Sequence, residues 1–112
     1  MSLPTQTQFA DALARLPMPG GRELDFLRRR AEAPGRALTA RRLAEAVGYE
    51  SYGGINLQYG LLARRIGETL GRRDVDLSLL VDFVRPKAVT NREWVMVMHP
   101  QFAEALKRAG WI

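Results

Sequence analysis

The chain has 112 residues, 46% hydrophobic and 26% charged, with no cysteine and a formal net charge of +5. That is one domain of ordinary globular composition. The missing cysteines exclude a disulfide framework and a thiolate metal site, and no apolar run approaches the roughly 18–20 residues of a membrane span. The start, MSLPTQTQF, has neither the basic head nor the apolar core of a secretory signal, so the expected location is cytoplasmic. The 17 Lys and Arg against 12 Asp and Glu favour an anionic partner, nucleic acid first.

Residues 5–16 read as a first helix, with Phe9, Ala12, Leu13 and Leu16 on one face. The prolines and glycines of 17–21 end it. A second helix over 22–33 turns Leu24, Phe26, Leu27 and Ala31 inward and Arg28, Arg29 and Arg30 partly outward, and Pro34-Gly35 stops it. Thr39 is placed to cap a third helix, in which Leu43, Ala46 and Val47 recur at helical spacing before Gly48. Turn residues continue to Gly54. A longer helix then carries Ile55, Tyr59, Leu62, Ile66 and Leu70 on one stripe. A short helix, a glycine-containing turn and a longer helix outline a helix-turn-helix over 38–71.

Beyond Gly71 the period changes. Leu77, Leu79, Val81 and Phe83 alternate with their neighbours, and 93–98 (EWVMVM) alternates again, with Trp94, Met96 and Met98 on one face. The two runs, joined by the polar segment 85–92, predict an antiparallel hairpin over 77–98. Pro100 opens a last helix over 100–109, with Phe102, Ala103 and Leu106 inward, and Gly110 closes it. With the N-terminal helices over 1–36, the expected fold is a single α+β domain of winged-helix type, mostly helical, the hairpin serving as the wing.

The longer helix has a second face, Gly53, Asn56, Gly60, Ala63 and Gly67, on which nearly every side chain is small. Glycine inside a helix costs about 1 kcal/mol against alanine. Two compensations fit: close approach to DNA, with Asn56 donating to and accepting from adenine, or close packing against a neighbouring helix. Tyr52, at the start of that helix, is placed to stack on a base, and Gln58 is a further polar candidate. Arginine forks suit phosphate and guanine, and the pairs flanking the motif, Arg41-Arg42 and Arg64-Arg65, with Arg72, are the best placed. Arg85, Lys87 and Arg92 give the wing a basic tip.

Catalysis has little to stand on. His99 is the lone histidine, Asp74, Asp76 and Asp82 lack the lysine that a metal-dependent nuclease pairs with its acids, and there is no phosphate loop or nucleophile elbow. The expectation is a non-enzyme with no metal or other cofactor and no membrane association.

The run Leu43-Ala44, Val47-Gly48-Tyr49, Asn56, Tyr59-Gly60, Leu62-Ala63 and Ile66 resembles a module associated with McrA-like HNH restriction endonucleases, and the tail from Glu93 is similar to the end of that module. The resemblance covers most of 38–112. It implies a role in sensing DNA, including modified DNA, at a restriction, defence or phage locus. The chain has no HNH motif, so cleavage does not carry over, and the resemblance implies a reader or the partner of a nuclease encoded separately. The expected function is double-stranded DNA binding. The alternative is a protein-interaction module, a regulator or inhibitor of another protein, on the same scaffold.

Overall fold

The computed structural model describes residues 2–39, 42, 52–84 and 95–112, and of 52–56 the backbone alone. Among these the chain is α+β, with four helices and a three-stranded antiparallel sheet. Helix α1 (Gln6–Arg15) starts on a capping box: Thr5 Oγ1 accepts from the Gln8 N–H at 3.1 Å while Gln8 Oε1 accepts from the Thr5 N–H at 2.9 Å. Helix α2 (Gly21–Glu32) ends at Ala33, which the next residue, a proline, holds extended. Helix α3 (Tyr52–Thr69) and helix α4 (Pro100–Arg108) both finish in glycine caps with positive φ, at Gly71 and Gly110. In each, the residue after the glycine donates back five residues, Arg72 to the Gly67 carbonyl and Trp111 to the Leu106 carbonyl.

Strands β1 (Ala37–Thr39), β2 (Val81–Val84) and β3 (Val95–Met98) lie in the order β1-β3-β2. Leu38 faces Met96 across one pair and Val81 faces Met98 across the other. The predicted hairpin is present as the β2–β3 pair, with two corrections. Leu77–Leu79 is a 3-10 turn and not the start of a strand, because Asp76 Oδ1 accepts from the Ser78 N–H at 2.9 Å and winds the backbone there. Leu79, Leu80 and Val81 are consecutively buried, and Phe83 is exposed, so the expected alternation does not hold. The sheet also has a third strand, β1, on the far edge of β3 from β2. Thr39 closes that strand and its Oγ1 accepts from the Arg42 N–H at 3.1 Å, the capping contact expected of it. The remainder of the first motif helix lies outside the described residues.

The core runs through the whole molecule. Phe9 and Phe102 meet at 5.1 Å between centroids where α1 packs on α4, and Phe26 of α2 meets Tyr59 of α3 at 4.8 Å. Tyr59, Leu62 and Ile66 are buried as their stripe predicts. Arg30 is the main departure. Expected to turn partly outward, it is fully buried: Phe26 and Leu27 precede it by four and three residues, so it lies on their stripe. Its Nε donates to the Tyr59 hydroxyl at 2.8 Å, and its Nη1 donates to the Leu38 and Met96 carbonyls, each at 3.0 Å. One side chain thus ties α2 to α3, β1 and β3. Arg28 and Arg29 do face solvent, both paired with Asp25, whose carboxyl is held below its ordinary range by Arg29 first and Arg28 second.

Candidate nucleic-acid interface

Helix α3 carries five of the predicted site residues, Tyr52, Asn56, Gln58, Arg64 and Arg65. At about 1.5 Å per residue its 18 residues span roughly 27 Å. Its inner side is fixed by Tyr59, Leu62, Ala63, Ile66 and Gly67, all buried, and by Arg30 beneath Tyr59. The guanidinium carbon lies 5.0 Å from the Tyr59 ring centroid. Burial pushes the Tyr59 hydroxyl up to about 12, with the charge and hydrogen bond of Arg30 opposing in part. The tyrosine is therefore neutral across the physiological range and serves as a hydrogen-bonded strut.

The outer side carries Leu57, Leu61, Arg64, Arg65 and Glu68, all exposed. Arg64 and Arg65 form no ion pair among the described residues. Gln58 is half-buried on the flank toward α2. Arg42 is exposed, one turn beyond Thr39. Arg72 is occupied otherwise: its guanidinium donates to the Ser2 carbonyl at 2.6 Å and clasps the N-terminal segment to the end of α3. Tyr52 and Asn56 fall within the span of α3, with side chains outside the described residues, and Arg41, Arg85, Lys87 and Arg92 lie outside them altogether.

The small face of α3 divides into two kinds of position. Ala63 is fully buried, and a Cβ added at Gly67 would lie 2.3 Å from Val75 Cγ2, so at these two positions packing demands a small residue. Gly60 is different. It is half-exposed, and among the described residues a Cβ built there meets nothing within 4 Å. Nothing among the described residues gains from the missing methyl at Gly60, while the helix loses about 1 kcal/mol by it. Composition alone could not separate these positions.

His99 is engaged structurally, its Nε2–H donating to the Ser78 carbonyl at 2.9 Å, and among the described residues no group of three acids or histidines converges as metal ligands would. No described helix is long and apolar enough to cross a membrane. The chain matches no family model, no curated protein and no solved structure.

Proposed function

We propose that this chain is a non-enzymatic, double-stranded DNA-binding domain of winged-helix type, with α3 as the helix that enters the major groove and the β2–β3 hairpin as the wing. The observation that carries the reading is Gly60: a glycine on the rim of the outer face, in mid-helix, whose cost has no return among the described residues. A helix pressed against a nucleic-acid backbone or base edge supplies that return, because each methyl removed lets the helix axis approach closer. Three further features support it. The order of elements, a helix, a strand, the capped start at Thr39, α3, then two strands with the last in the middle of the sheet, supports the winged-helix reading. Arg64 stands one turn beyond Gly60 on the solvent side with no ion pair among the described residues. The net charge is positive. A role at a restriction, defence or phage locus, as a reader paired with a separately encoded nuclease, belongs to the same proposal.

Duplex titration by fluorescence anisotropy over a range of salt tests it. Each phosphate neutralised contributes about −0.9 to the log–log slope. The wild-type chain is expected to show a steep slope, and Arg64→Ala and Arg65→Ala to lower it by about one contact each while weakening all sequences alike. Tight binding with no salt slope, or no binding at about 50 mM salt, sinks the proposal.

A further inference from the structure

The outer face of α3 is not uniformly polar. Leu57 is 62% exposed and Leu61, one turn on, is 36% exposed. With Gly60 and Arg64 they follow the i, i+3, i+4, i+7 spacing of a single helical stripe, opposite the buried stripe of Tyr59, Leu62, Ala63 and Ile66. A lone apolar side chain in solvent is ordinary. Leucine is also a good helix former, but glutamate, lysine and arginine serve a wet helix face as well and are at home in water. Two leucines one turn apart, beside the glycine that lets the helix approach most closely, mark a face with an apolar target.

On the DNA reading, which this inference presupposes, α3 lies in the major groove and the leucines meet base edges. A leucine pressed on a polar edge strips water from a donor or acceptor and gives no hydrogen bond back. Unmodified DNA offers one apolar group there, the C5-methyl of thymine, and beside it stands the O4 acceptor. One turn beyond Leu61 come Arg64 and Arg65, exposed and with no ion pair among the described residues. A guanidinium only donates, so it suits the O4 of thymine and opposes the amino group that cytosine presents at the same place. Residues four apart rise roughly 6 Å along a helix, close to two base-pair steps of about 3.4 Å. We propose that Leu57 and Leu61 read the C5-methyl groups of two thymines about two base-pair steps apart in the major groove.

The experiment selects random duplexes on the full chain and then edits the DNA. The selected site is expected to hold two such thymines. Uracil in place of either one removes the methyl and keeps the base pair, and should weaken binding about fourfold for each methyl lost. The double variant Leu57→Ala, Leu61→Ala should bind thymine and uracil duplexes alike with an unchanged salt slope, since no charge is altered. Should its thermal melt show a folding defect, Leu57→Ala, altered only at the more exposed position, decides by losing discrimination at one thymine. A duplex with 5-methylcytosine–guanine pairs at the two positions keeps the methyls but sets an amino group before the arginines, and should bind no better than the uracil duplex. The proposal is overturned by uracil duplexes bound as tightly as thymine ones with the salt slope intact, which leaves the DNA reading standing. Discrimination against uracil that survives the leucine substitutions overturns it too, as does equal binding of the 5-methylcytosine duplex. Absence of any salt-dependent binding removes the DNA reading and this inference together.

Discussion

Replacing Arg30 by methionine tests the buried tie directly. The substitution keeps most of the side-chain volume and removes every donor, so three acceptors lose their partner: the Tyr59 hydroxyl and the Leu38 and Met96 carbonyls. Each buried polar group left unmade costs about 1–3 kcal/mol. Leu38 is half-buried and its carbonyl regains water in part. The gross loss is then about 3–5 kcal/mol. Against it stands the relief of no longer desolvating a guanidinium, one that has no carboxylate partner among the described residues and whose Nη2 is buried without a hydrogen bond there. The lost bonds win because they are shared by a helix and two strands, and we expect a net loss of about 3 kcal/mol. In a domain of this size that lowers Tm by roughly 10 °C. Urea unfolding followed by circular dichroism measures it, with m as the check on two-state behaviour. Arg30→Lys should fall between, because one ammonium cannot reach the hydroxyl and both carbonyls in the fork geometry. If Arg30→Met proves as stable as the wild type, the desolvation of the cation outweighs its bonds and the tie is not what holds α2 to the sheet.

Gly60→Ala should raise stability by about 0.5–1 kcal/mol in urea unfolding and, on the DNA reading, weaken duplex binding; a variant that is stabilised and binds unchanged removes Gly60 from the interface. Gly67→Ala has the same propensity gain but drives a methyl into Val75 at 2.3 Å, and overpacking of about 1–3 kcal/mol should leave it less stable than the wild type by the same assay. Tyr59 supplies a pH dependence: its hydroxyl is raised to about 12 in the fold from about 10 in the unfolded chain. The stability it contributes is therefore complete below pH 10 and is lost as pH climbs toward 12. Unfolding free energies measured from about pH 8 to about pH 11.5 should fall through that window, and Tyr59→Phe, weaker at about pH 8 for lack of the hydroxyl acceptor, should show a shallower fall.

Helices were legible in the sequence where their ends carry chemistry. The proline opening α4 and the glycines closing α3 and α4 each mark a backbone requirement that few residues meet. Strand β1 was hidden because Thr39 has two duties: it ends a three-residue strand and its hydroxyl accepts from the Arg42 N–H, and only the second leaves a sequence signature. The alternation from Leu77 misled because periodicity cannot register that Asp76 diverts the backbone by its own side chain. Arg30 had a signal, its spacing from Phe26 and Leu27, outweighed by two arginine neighbours that do face water. For the site, the small face of α3 was visible, but the contrast between Gly60 and Gly67 depends on where Val75 lies after the chain has turned back.

The middle strand of the sheet is also the last to be synthesised. β1 and β2 each pair with β3 and not with each other, so neither finds a partner strand until Val95–Met98 has left the ribosome. The same late segment brings the Met96 carbonyl to Arg30 and α4 to α1. At roughly 5–20 residues per second, the nascent chain spends seconds with Arg30 short of its Met96 acceptor, two strands unpaired and Phe9 without Phe102. Both strand pairings fall due together. The sheet is thus acquired in one late step, and a translating chain stalled ahead of Val95 exposes its unpaired edges to chaperones and proteases for as long as the stall lasts.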